Sequence, residues 1–234
     1  MRCFRMDDPQ NIRNAANENI KLAEEEMSQA KTLELMAKTW IDQAKTREKL
    51  RDKEVDLAKL REELAEKTRK LVDRKLKIKE EGTLEFPEEQ LEMEKKEAIV
   101  NERISEVQKD IAELNKNISE KELDIAKDKE KLAKERMDVA KEREKLGKKQ
   151  LDYAKAIENY TSIQAGQIAE KIQAAQEKMQ KAQQTYLKQQ DDVMDEIKDV
   201  FKKKGDIQKK ENELSDLQRD FSVKLSELEK IRHA

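Results

Sequence analysis

Every seventh residue from Ile104 onward is bulky: Ile104, Ile111, Ile118, Ile125, Leu132, Val139, Leu146, Tyr153 and Tyr160. The residue after each is small: Ser105, Ala112, Ser119, Ala126, Ala133, Ala140, Gly147, Ala154 and Thr161. A bulky-small pair that repeats every seven residues is the pattern of a helix lying along another helix for many turns. The small member lets two backbones approach, and the bulky member fills the space beside them.

The same pattern occupies the first third of the chain. Small residues recur at Ala16, Ala23, Ala30, Ala37 and Ala44, lapse at Arg51, and resume at Ala58, Ala65 and Val72. Bulky residues fall one position before this column, at Leu22, Met36, Leu50, Leu57, Leu64, Leu71 and Ile78, with Gln29 and Gln43 as gaps. Ile20, Met27, Ile41 and Val55 add a row four residues beyond the small positions. Between the two patterned stretches lies Gly82-Thr83-Leu84-Glu85-Phe86-Pro87, which reads as a turn. Gly82 suits the left-handed position after a helix, and Pro87 starts a new one with Glu88 and Glu89 in its first turn.

If these two helices fold back on each other, opposing residues have a constant number sum. A sum of 170 sets Ala16 opposite Ala154, Ala23 opposite Gly147, Ala30 opposite Ala140, Ala37 opposite Ala133 and Ala44 opposite Ala126. It continues with Ala58 opposite Ala112 and Ala65 opposite Ser105, and it places the centre at residue 85, inside the turn. This small-residue column is the expected first seam.

From Asn159 to Gln176 only Glu170 and Lys171 are charged, and the apolar phase slips by two residues. The next stride is Ile172, Met179, Tyr186, Val193, Val200, Ile207, Leu214, Phe221 and Leu228. Thr161 and Ser162 can cap a helix, and Gly166 tolerates a left-handed turn. A third helix folding back there opposes residues summing to 332: Tyr160 with Ile172, Leu132 with Val200, Ile104 with Leu228. The competing reading is a continuous helix that absorbs the slip as a change of winding. Leu123, Met137 and Leu151 form a further stripe, as a helix sandwiched between two others would carry.

The expected fold is therefore all-α, an elongated antiparallel coiled coil, a three-helix rod built on a helical hairpin. Residues 1–10 form a loose lead-in ending at the Asp8-Pro9 helix start, 11–81 the first helix, 82–87 the turn and 88–161 the second helix. Residues 162–167 form a turn or register slip, and 168–232 the third helix, with a kink at Gly205 as an option.

Composition narrows the function. Of 234 residues, 44% are charged and 3% aromatic, which is too few aromatics for an ordinary globular core and fits a long-helix protein. The 51 basic and 53 acidic residues are interspersed, so no one-signed field recruits nucleic acid. Cys3 is the single cysteine and His233 the single histidine, so neither a zinc quartet nor a nucleophile-histidine pair can be assembled. The glycines at 82, 147, 166 and 205 stand alone, which excludes a glycine-rich phosphate loop. Asp191, Asp192, Asp195 and Glu196 lack a calcium-loop pattern. No catalytic residue, cofactor, metal or small-molecule substrate is expected.

Arg2, Cys3 and Phe4 would form a membrane anchor only if Cys3 were acylated. The basic cluster Arg69, Lys70, Arg74, Lys75, Lys77 and Lys79 is the candidate phosphate-facing end. The lack of a secretory signal pattern makes a cytoplasmic location the default expectation. The leading functional reading is a structural protein that self-associates into an oligomer or filament, or serves as a rigid scaffold for another coiled-coil protein. Leu33, Trp40, Leu60, Leu123 and Met137 are apolar rows left needing burial, and the glutamine-rich tract 159–190 is a second contact surface. The alternative is a membrane-shaping module. Three long antiparallel helices resemble the crescent-shaped BAR dimers in size and architecture, though no motif supports a membrane surface.

Overall fold

The computed structural model describes residues 8–82, 87–166 and 169–233, and among them every regular element is helical. Helix α1 runs Pro9–Glu80, α2 Glu88–Ala165 and α3 Ala169–His233. Cys3 and the rest of the expected lead-in before Asp8 lie outside the described residues, as do residues 83–86 with the hairpin centre at 85.

Helix α1 opens at the Asp8-Pro9 start read from the sequence, two residues before the 11–81 bounds, with Asp8 as its cap. The Asp8 Oδ1 accepts from the Gln10 backbone N–H at 3.0 Å, and its carbonyl accepts from Ile12 at 3.2 Å. Pro9 follows where a missing N–H costs nothing. At the other end Lys77 and Lys79 lie in the last turn. The Gly82 N–H closes on the Lys79 carbonyl at 2.8 Å, and its φ of 76° is the left-handed conformation that favours glycine. Helix α2 begins beside Pro87, whose carbonyl accepts from Gln90 and Leu91.

The chain breaks between α2 and α3 rather than continuing as one helix, at the end of the expected 162–167 segment. Helix α2 persists to Ala165 because the Thr161 hydroxyl does not cap; it donates to the Ile157 carbonyl at 2.8 Å, as mid-helix threonines do. The Gly166 N–H still donates to Ser162 at 3.2 Å. Among the described glycines only Gly82 has positive φ, so the left-handed turn expected at Gly166 is not formed there. Helix α3 passes through Gly205 without interruption.

Packing divides the chain into two units, Met1–Lys38 with Lys127–Ile207, and Thr39–Ala126 with Gln208–Ala234. In the first, Ala16, Ala23, Ala30 and Ala37 of α1 and Ala133, Ala140, Gly147 and Ala154 of α2 are all buried. Ion pairs and amide bonds report the register: Arg13 meets Glu158, Asn19 meets Gln150 at 2.7 Å and Glu26 meets Arg143 at 3.1 Å, with number sums from 169 to 171. On the far side of α2, the Tyr153 and Tyr186 rings stack with centroids 6.1 Å apart.

In the second unit Ile41 and Ala44 of α1 cluster with Leu123 and Ala126 of α2, and Val55 and Ala58 cluster with Ala112. Leu123 therefore belongs to the α1 seam and not to a separate stripe. It stands four residues beyond Ser119 and fills the same groove as Ile41. Cross-helix pairs Arg47–Glu122, Asp52–Lys116, Glu62–Lys109, Arg69–Glu102 and Lys75–Glu94 sum to between 168 and 171. Helix α3 pairs with α2 through Lys121–Glu213 at 2.6 Å and Lys224–Asp110 at 2.9 Å, both summing to 334. With Gln189–Glu142 in the first unit, which sums to 331, these pairs bracket the expected 332.

Gly147 explains how close the backbones come. A Cβ added there would lie 2.6 Å from Ile20 Cγ1 and 2.8 Å from the Ala16 carbonyl oxygen. Gly147→Ala is expected to lower stability by about 1–2 kcal/mol, since overpacking outweighs the gain in helix propensity. Gly205 has nothing within 4 Å, so Gly205→Ala should raise stability by roughly 0.5–1 kcal/mol. Urea unfolding followed by circular dichroism compares the two signs directly.

Candidate functional site

The columns singled out in the sequence occupy different surroundings. Of the first seam, Ala16, Ala23, Ala30, Ala37, Ala44, Ala58, Ala112, Ala126, Ala133, Ala140, Gly147 and Ala154 are buried, and Ala65 is half-buried. Of the second, Ile125, Val139, Leu146, Tyr153, Val193, Ile207 and Leu228 are buried and the rest half-buried. The first seam continues beyond Ser105 to Ala98 and the fully buried Leu91, two further steps of the same stride.

The bulky column of α1 behaves differently. Leu22 and Met36 in the first unit, and Leu50, Leu57, Leu64 and Leu71 in the second, are exposed. On α2 the equivalent column carries α3; on α1 no described residue shields it comparably. Within the first unit α3 adds its own exposed row, Leu187, Met194 and Phe201, again at seven-residue spacing. Periodicity identified the first of these rows but not its exposure.

No group of three or more His, Cys, Asp or Glu among the described residues is placed to hold a metal ion. Acids, mostly of α2, answer part of the basic end of α1: Lys70 pairs with Glu66, Arg69 with Glu102, Lys75 with Glu94 and Lys79 with Glu88. A groove of about 290 Å³ in the first unit has Arg136, Val139 and Arg143 on its floor, with Leu33 of α1 and Ile197 and Val200 of α3 on its walls. Glu26 neutralises Arg143 there, so the groove offers packing surface more than chemistry.

An acidic α2–α3 contact in the same unit was not evident from the sequence, although its column (Asp128, Glu135, Glu142) keeps the seven-residue stride. The Glu135 Oε2 is buried without a hydrogen-bond partner among the described residues. Burial raises its pKa above the ordinary 4.5; Asp199, Glu196 and Asp128 add to this against the opposing pull of Lys203. Glu196 is raised likewise, by burial first and then by Asp138, Asp199, Glu142 and Asp195. Glu142 is lowered by Lys145 and, less, by the Gln189 amide.

The pH dependence has a definite sign. An acid whose folded pKa is raised makes folding less favourable at neutral pH, and that cost vanishes as pH falls through the raised value. Carboxylates held low, such as Glu142, lose their stabilising effect only below 4.5. From about pH 7 down towards 4.5, the thermal midpoint is therefore expected to rise. Glu135→Gln should raise the midpoint at neutral pH and flatten that slope. Melting curves that fall steadily with acidification, unchanged by the substitution, would contradict this.

Comparison with protein-family models, with curated proteins and with solved structures finds no match to this chain.

Proposed function

We propose that the chain is a structural coiled-coil protein, a helical scaffold that associates with copies of itself. Three helices of 72, 78 and 65 residues leave little backbone for the loops on which binding and catalysis usually depend. The observation that carries the reading is the presence of exposed apolar rows kept in coiled-coil spacing. Isolated exposed apolar residues are ordinary; rows spaced at seven residues are the form of surface another helix covers.

The α3 row is the surface assigned to self-association. Leu187, Met194 and Phe201 are about half exposed or more, at 49%, 50% and 65%. Its flanks are electrically balanced: Asp195 is held by Lys198 at 2.7 Å, and Gln183, Gln184 and Gln190 are uncharged. Two copies can meet there without like-charge repulsion. A membrane-shaping role has less support, because the lysines and arginines at the end of α1 are largely committed to neighbouring acids.

Sedimentation velocity at micromolar concentration is expected to show a dimer or larger assembly. Met194→Glu together with Phe201→Glu should weaken association at least tenfold while leaving helicity intact. A chain that stays monomeric across the micromolar range would refute the self-association reading.

A further inference from the structure

The leucine row of α1 calls for a different partner from the row on α3. In the second unit Leu50, Leu57, Leu64 and Leu71 repeat every seven residues and are 55–66% exposed, with Leu60 beside them at 61%. The same unit shows how such a row is covered elsewhere. On α2 the residues one position before the small column, Ile111, Ile118 and Ile125, are buried or half-buried. Helix α3 is fixed along that side by Lys121–Glu213 and Lys224–Asp110. Helix α1 carries the same bulky and small columns in the same order, yet its bulky column remains open.

The charges beside the leucines select what can cover them. Lys53, Lys67 and Arg74 lie three residues after Leu50, Leu64 and Leu71, and Arg61 lies four after Leu57, so each neighbours the row on the helix surface. None of these four cations is engaged in an ion pair among the described residues. Of the acids around it, Glu54 is taken by Arg51 and Glu66 by Lys70, while Asp56 and Glu63 stand one position farther from the leucines, outside Lys53 and Lys67. The positions nearest the leucines are therefore predominantly positive, with Lys53, Arg61, Lys67 and Arg74 against the single, already paired Glu54.

A second copy presenting the same face parallel would set each cation against its own counterpart, and antiparallel about Leu64 it would set Lys67 against Arg61; antiparallel about the midpoint of Leu57 and Leu64 it would set Lys67 against Glu54, which Arg51 already holds. A lipid surface suits a helix with a broad apolar face, usually bearing aromatics, whereas this row is one residue wide for most of its length. The exact seven-residue spacing is instead what a supercoiled neighbour requires.

The geometry points to an acidic amphipathic helix of a partner protein, docked along Leu50–Leu71 of α1 as a fourth helix. Its apolar residues would repeat every seventh position and pack against the leucines. Its flanking aspartates or glutamates would pair with Lys53, Arg61, Lys67 and Arg74. This inference rests on the scaffold reading and names the class of protein the scaffold holds.

The test uses the full chain and a dye-labelled synthetic helix of about four heptads, with leucine in the core positions and glutamate at the flanks. A twin peptide carries lysine at the flanks. Fluorescence anisotropy should show the glutamate peptide binding at least tenfold more tightly than its twin, with affinity falling as salt is raised. The Lys53→Glu, Arg61→Glu, Lys67→Glu, Arg74→Glu variant should reverse that preference. Leu57→Ser with Leu64→Ser should abolish binding of both peptides at unchanged helicity. Equal binding of the two peptides, or binding of neither, would overturn the proposal. So would co-sedimentation with phosphatidylserine vesicles without glutamate-peptide binding, which assigns the face to lipid, or loss of an oligomer in the leucine variant, which assigns it to a second copy. Sedimentation of the wild-type chain alone tests the scaffold reading separately, so either idea can fail without the other.

Discussion

Where Ala16 meets Gly147, the backbones of α1 and α2 come so close that a side chain on residue 147 would press on a carbonyl oxygen of α1. That contact constrains what can stand along the seam. A close-packed pair of helices accepts alanine, glycine or serine at the points of nearest approach, and larger residues only beside them. Ile41 with Leu123, and Val55 beside Ala58 and Ala112, show the larger residues taking those flanking places. Where Arg51 interrupts the column on α1, Ser119 on α2 is still buried, so the interruption is tolerated without opening the seam. The register follows from the small residues, and the ion pairs along the edges fall in with it. Each exposed pair contributes little on its own, typically about 0–1 kcal/mol.

This division of labour explains how much was legible in the sequence. A strict seven-residue alternation of bulky and small side chains speaks about one face of a helix, and the all-α architecture could be read from it. Which neighbour covers a face is a tertiary question that periodicity does not address. Leu123 looked like a second stripe because it stands outside the small column, yet it fills the groove beside that column. The bulky rows of α1 and α2 are alike in sequence, but one is covered and the other is not. Thr161 and Ser162 read as a helix end because hydroxyl residues favour caps; the Thr161 hydroxyl instead bonds back within α2, and four more residues stay helical. The acidic contact at Glu135 was hidden for the reason that charged positions normally mark solvated faces.

Electrostatics then separates surfaces that look equivalent by hydrophobicity. The row on α3 is flanked by balanced charge and glutamine, the row on α1 by cations that form no ion pair among the described residues, and at the lysine-rich end of α1 acids pair with Arg69, Lys70, Lys75 and Lys79. A scaffold with two kinds of apolar row can use one for copies of itself and reserve the other for a partner of opposite charge, because like-charge contact excludes the wrong pairing. The half-buried carboxylates Glu135 and Glu196 between α2 and α3 add a cost at neutral pH that an apolar contact would not carry.

The central claim is that α1 and α2 of one chain lie antiparallel along the small-residue column. Double electron–electron resonance tests it most directly, with nitroxides at Ser28 and Lys141 in the first unit and, separately, at Lys53 and Asn117 in the second, in a Cys3→Ser background diluted with unlabelled chain. Helix axes about 8–10 Å apart, with label arms added, predict narrow distributions near roughly 20–25 Å for both pairs. Distances beyond about 40 Å, or a signal that vanishes on dilution, would mean that these helices do not pair within one chain.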